Sequence, residues 1–136
     1  MNTLASDLKN MAIEGMIYSY SPYSLKKIGA SLLLSNGKTY SGCNIENASY
    51  GGTVCAERVA IWKAYSENLS SEKIIEIVVA SNELEPWPPC GFCRQVMSEF
   101  CSPETVIKAI NPQGKEISYL FKNLFPEAFK PSHLLK

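Results

Sequence analysis

Apolar positions near helical spacing open the chain: Leu4, Leu8, Met11, Ile13 and Met16 predict an amphipathic helix over residues 4–18. The stretch Ser19-Tyr20-Ser21-Pro22-Tyr23-Ser24 ends it. Two strands are predicted next, over 28–34 and 38–43. They are joined through Ser35-Asn36-Gly37, a hairpin signal because Asn and Gly tolerate positive φ. After Gly51 and Gly52 a helix is predicted over 55–66, with Thr53 as its candidate N-cap. The β-branched run at Ile74, Ile75, Ile77, Val78 and Val79 predicts a buried strand over 73–80. A proline-rich loop, Glu85-Pro86-Trp87-Pro88-Pro89, leads to a helix over 91–100. Strands near 105–110 and 115–119 flank the turn Asn111-Pro112-Gln113-Gly114, and a helical segment closes the chain. The order α-β-β-α-β-α-β-β-α reads as an α/β fold, a mixed sheet of about five strands with helices packed on it.

Composition narrows the class. The 136 residues, 46% hydrophobic and 19% charged, suit one globular domain over 1–136. Lys and Arg total 13 and balance 13 Asp and Glu, so no basic surplus exists to neutralise a nucleic-acid backbone. No apolar run is long enough for a membrane span, and no secretory signal is visible at the N-terminus. A cytoplasmic location is therefore expected. There the five cysteines, an odd number, are expected to be free or metal-bound rather than disulfide-paired.

The candidate chemistry lies in Cys55-Ala56-Glu57 and Pro89-Cys90-Gly91-Phe92-Cys93, both at strand-to-helix junctions. A helix N-terminus favours negative charge and lowers thiol pKa. Cys90 and Cys93 are one helical turn apart, so their sulfurs can face one point and, with Cys55, offer three soft ligands to Zn2+. Three protein ligands leave a fourth position for water, the pattern of a catalytic site. Glu57 is close enough to take a proton from that water and pass it to a leaving amine. Three thiolates around Zn2+ carry a net charge of about −1, which opposes water ionisation. Arg58 follows Glu57 and could donate to the sulfurs; Arg94 is a second candidate for that task.

These motifs resemble the zinc deaminases: Cys-x-Glu followed by Pro-Cys-x-x-Cys. The longer strings Gly42-Cys43-Asn44-Ile45-Glu46-Asn47-Ala48-Ser49-Tyr50 and Cys90-Gly91-Phe92-Cys93-Arg94-Gln95-Val96 are similar to the cytidine deaminase family. So are Pro22-Tyr23-Ser24, Gly29-Ala30 and Pro126-Glu127-Ala128-Phe129, which extends the likeness over about residues 18–130. The resemblance implies a three-layer α-β-α sandwich and zinc on Cys55, Cys90 and Cys93. It implies hydrolysis of free cytidine and 2′-deoxycytidine to uridine and 2′-deoxyuridine in pyrimidine salvage, with water attacking C4 and Glu57 as proton shuttle. Asn44 and Glu46 would hydrogen-bond the ribose, and backbone near Ala56 and Cys90 would hold the base. A homotetramer with shared sites is implied, in which Ala48, Tyr50 and Phe129 approach a neighbouring subunit's substrate. The likeness also supports Arg58 as the donor to sulfur.

Departures from the family pattern concern the pocket. Lys26 and Lys27 stand where an aromatic and a proline are usual, Trp87 and Pro88 replace small residues, and Phe92 replaces alanine. Modified cytidines such as N4-substituted ones, or another aminated nucleoside, are thus the alternative substrates. A polynucleotide-editing deaminase would need a basic or aromatic track for a strand. A zinc-stabilised binding module would not need Glu57, and a redox or structural Cys-x-x-Cys is a further reading. Cys43 and Cys101 are expected to be buried apolar residues, Trp62 and Tyr65 to pack, and His133 to be an exposed bystander.

Overall fold

The computed structural model describes residues 3–135. Helix α1 (Thr3–Gly15) continues into a single 3-10 turn, Met16–Tyr18. It buries Leu8, Ala12 and Met16, at i, i+4 and i+8, with Met11 and Ile13 half-buried at the margins. The side chain of Leu4 lies outside the described residues.

Strands β1 (Ile28–Leu34) and β2 (Thr39–Cys43) form the expected hairpin, with Gly37 at φ 87° in the turn. Helix α2 (Ala56–Tyr65) leads to β3 (Ile74–Ser81), and α3 (Gly91–Phe100) leads to β4 (Cys101–Ile110). Strand β5 (Glu116–Leu120) is followed by the short helices α4 (Phe121–Leu124) and α5 (Pro131–Leu134). The sheet order is β2-β1-β3-β4-β5. Only β3 and β4 pair in parallel, joined by the crossover through α3; the other neighbours are antiparallel.

Alternation along β3 assigns the two faces. Val78 and Ala80 pack with Leu8 and Ala12 of α1 and with Met16 of the 3-10 turn, while Ile77 and Val79 point to the core shared with α2 and α3. Helices on both faces make the three-layer sandwich. On β1, Ser31 faces α1 and satisfies its buried hydroxyl by donating to the Leu8 carbonyl at 2.6 Å.

Two of the expected boundaries change. The N-cap position of α2 is Cys55, not Thr53, whose hydroxyl instead accepts the Asn47 N–H at 3.1 Å. Strand β4 begins at Cys101 rather than near 105, because Cys101 already pairs with Ile74 before a register shift. The Thr105 hydroxyl stitches that irregularity, donating to the Ile74 carbonyl and accepting the Ser102 N–H.

Helix α2 sits directly on β2. A Cβ at Gly42 would lie 2.7 Å from both the Ala56 carbonyl and the Ala60 nitrogen, so only glycine allows this approach. The first turn of α2, with Cys55 and Glu57, is thereby set against the sheet.

Candidate active site

Two helix N-termini meet at the carboxyl end of β3. Cys55 and Cys90 occupy the N-cap positions of α2 and α3, and Cys93 lies in the first turn of α3. Their sulfurs lie within 4.8 Å of one another, and Cys55 Sγ is 3.7 Å from Cys90 Sγ. A tetrahedral zinc with Zn–S bonds of ~2.3 Å sets its sulfurs about 3.8 Å apart, so this donor set fits zinc. Among the described residues no further His, Cys, Asp or Glu joins the group. Cys43 and Cys101 stand apart and are half-buried rather than enclosed; burial pushes the Cys101 thiol up to about 12. No cysteine is in a disulfide.

The surroundings stabilise negative charge on the Cys55 sulfur, and the Cys93 thiol, which donates to it, is pushed up in turn. Donation from the Cys93 thiol, and then from Arg58, draws the Cys55 thiol down to about 5. Arg58 Nη2 donates to Cys55 Sγ at 3.5 Å, the partner expected from the sequence. Arg94 does not share the task. Its Nε donates to the Pro89 carbonyl and its Nη1 to the Leu124 carbonyl, both at 2.9 Å, so it ties the cysteine loop to α4.

Glu57 is buried on the first turn of α2 and faces a cavity of about 340 Å3. Burial, and then the charge of Cys55, pushes its carboxyl up to about 7. Lys26, Asn44, Glu46, Ala56, Trp87 and Cys90 also line the cavity. No helix is long and apolar enough to cross a membrane among the described residues.

Asn44 and Glu46 lie on the same side of an extended segment pinned by bridges from Ile45 to Tyr20 and to Val54. Asn44 Nδ2 donates to the Lys26 carbonyl at 2.8 Å, and Oδ1 accepts the Ile28 N–H at 3.0 Å and the Ser19 hydroxyl. One Nδ2 hydrogen therefore remains for a ligand. The Glu46 carboxylate accepts the Tyr23 and Ser24 N–H groups at 3.0 and 3.1 Å and the Ser24 hydroxyl. That hydroxyl, above all, holds its pKa below the usual carboxylate value.

Of the residues that depart from the family pattern, Lys26, Trp87 and Pro88 line the cavity, whereas Lys27 and Phe92 do not; the Phe92 ring lies over Arg58 instead. Leu25 adopts φ 62°, a conformation that costs a branched side chain and turns the chain into Lys26. Lys26 Nζ pairs with Glu83 at 2.7 Å and lies 5.7 Å from the Trp87 ring centre. Ala48, Tyr50 and Phe129 are exposed and do not line this cavity; Tyr50 instead packs edge-on to Tyr23 at 6.4 Å. Tyr65 packs as expected, stacked on Phe100 at 3.9 Å, but Trp62 is half-exposed and covers Arg58. His133 is exposed and caps α5 by accepting the Lys130 N–H.

Comparisons with known proteins agree with this geometry. The model of the family described as "Cytidine and deoxycytidylate deaminase zinc-binding region" matches residues 3–109. A cytidine deaminase of Halalkalibacterium halodurans is 45% identical over 118 residues, covering 87% of this chain and 88% of the relative. A probable cytidine deaminase of Dictyostelium discoideum is 43% identical, covering 87% and 78%. The crystal structure of a Burkholderia pseudomallei cytidine deaminase superposes with a TM-score of 0.85 at 37% identity, over 95% of this chain and all of that one.

Proposed function

The chain belongs to the cytidine and deoxycytidylate deaminase family, and on that premise we propose that it hydrolyses free cytidine and 2′-deoxycytidine to the uridines, releasing ammonia. The observation that carries this reading is the buried Glu57, pushed up to about 7 beside three clustered sulfurs and facing a nucleoside-sized cavity. Cys55, Cys90 and Cys93 would hold the zinc. When bound, zinc supplies the Lewis acidity that lets water act as a nucleophile near neutral pH.

This chain's own residues do the rest. Glu57 takes the proton that water loses as its oxygen adds to C4. It delivers that proton to ring N3, then takes the remaining hydroxyl proton and passes it to the exocyclic nitrogen, so the C–N bond breaks with ammonia leaving as the C4 carbonyl forms. A carboxyl buried to this degree can hold a proton at neutral pH and still release it. Arg58 offsets thiolate charge at Cys55. The free Nδ2 hydrogen of Asn44 donates to one ribose hydroxyl and Glu46 accepts from another, both prearranged by their own hydrogen bonds. The base lies against the first turn of α2 at Ala56.

Ala48, Tyr50 and Phe129, exposed and outside their own cavity, support a homotetramer in which they complete a neighbour's site. Light scattering is expected to give the tetramer mass; a fully active monomer would contradict it. Cysteines of which none is in a disulfide fit a cytoplasmic enzyme, and a single five-stranded sheet fits one catalytic domain over 1–136.

Lys26 and Trp87 favour a second reading of the substrate. The indole gives the base an aromatic wall, and the tethered Lys26 bounds the rim beside it. Modified cytidines, including N4-substituted ones, would meet this wall. Trp87→Ala is expected to raise KM for cytidine about tenfold with a smaller change in kcat, because base–aromatic stacking is lost. Steady-state assays on cytidine, 2′-deoxycytidine and N4-methylcytidine check this. Unchanged KM for all of them would remove Trp87 from the base site.

A further inference from the structure

Arg58 is a buried cation in an unusual setting. It is 8% exposed, yet none of the ion pairs among the described residues includes it. Its Nε has no hydrogen-bond partner, and its contact with Cys55 is through Nη2. A guanidinium so placed needs compensation from something other than a carboxylate.

The sulfurs of Cys55 and Cys93 provide part of it, and two aromatic rings lie against the guanidinium as well. The Phe92 ring centre lies 4.1 Å from Arg58 Cζ and the Trp62 ring centre 5.8 Å from it. Trp62 is one turn beyond Arg58 on α2, and Phe92 stands between Cys90 and Cys93 on α3. Phe92 is 63% exposed, so burial does not account for where its ring sits; the guanidinium is what it covers. An aromatic face attracts a cation without accepting its in-plane N–H groups, so it holds the guanidinium while leaving those donors for sulfur. A carboxylate in the same place would compete for them.

We propose that Phe92 and Trp62 are positioning residues that clamp Arg58 onto the thiolates and thereby lower the electron density of the metal-binding sulfurs. The proposal rests on Cys55, Cys90 and Cys93 being the zinc ligands. It extends from the ligands to an aromatic pair that supplies no ligand atom and does not line the cavity.

Cobalt substitution reads sulfur electron density directly. The Co2+-loaded wild-type chain is expected to show sulfur-to-cobalt charge-transfer absorption; its absence would overturn the ligand reading itself. With that band present, Phe92→Leu keeps apolar bulk but removes the π face. The band is expected to move to lower energy as the sulfurs become more electron-rich. In the zinc form kcat should fall about fivefold with KM nearly unchanged, the scale of a lost cation–π contact. Phe92→Tyr should restore the band position. Trp62→Leu, at a half-exposed helix position, should shift the band the same way by less, and it carries the test if Phe92→Leu does not fold. A Phe92→Leu band at the wild-type energy would overturn the clamp, and so would faster zinc loss to a chelator with no band shift, the mark of a packing role.

Discussion

Glu57→Gln is expected to lower kcat by roughly 10²–10⁴-fold, the contribution of a positioned proton-transfer group, while zinc stays bound and KM changes little. Glutamine matches glutamate in size and can still hydrogen-bond, so the buried first turn of α2 has no cavity or new charge to accommodate. What it cannot do is accept a proton. The wild-type carboxyl is pushed up to about 7 by burial and then by the Cys55 charge, a value suited to both taking and giving a proton near neutrality. Metal analysis beside steady-state kinetics separates the two effects. A kcat within tenfold of wild type would remove Glu57 from proton transfer and revive the reading of a zinc-stabilised module.

The second large effect concerns the metal. Cys90 is exposed whereas Cys93 is fully buried, within the core cluster that also holds Met97 and Ala60. Cys90→Ala therefore removes a ligand without opening the core, and it isolates the metal's contribution. Zinc content is expected to fall from near-equimolar to near zero, with activity lost. Stability should fall too, because a metal that binds only the folded state contributes RT ln(1 + [L]/Kd), about 4 kcal/mol when zinc is at a thousand times its Kd. Chelator should lower the wild-type Tm and leave that of Cys90→Ala unchanged. Cys93→Ala should lose the metal and also the packing of a core side chain, and so unfold at a lower temperature than Cys90→Ala. A Cys90→Ala protein that keeps its zinc would contradict the three-sulfur site.

Much of this was legible in the chain because the signals were local. Asn36-Gly37 announced the hairpin, the β-branched run announced β3, and the cysteine spacing placed three sulfurs at two helix starts. The sheet order was not legible, since the crossover between β3 and β4 depends on contacts distant in sequence. Thr53 looked like an N-cap on residue type alone, yet its hydroxyl serves the turn before the helix. The strand near 105–110 extends back through Ser102-Pro103-Glu104 because Cys101 pairs with Ile74, a contact distant in sequence. Among candidate cations Arg94 is nearer a ligand in sequence, one residue from Cys93 against three from Cys55 for Arg58, yet the structure sends Arg94 to two carbonyls and Arg58 to sulfur. Trp62 was expected to pack, and its partner is instead the Arg58 guanidinium.

Hydrolysis of a free cytosine nucleoside by the zinc-loaded protein is the activity on which every residue role above depends. Its most direct test is the loss of cytidine absorbance on mixing with purified, zinc-replete protein, with ammonia measured in the same samples. The band is expected to decay to that of uridine with one ammonia released for each cytidine lost. A stable band with cytidine, 2′-deoxycytidine and N4-methylcytidine alike, from protein holding its full zinc, would contradict it and leave a metal scaffold in place of an enzyme.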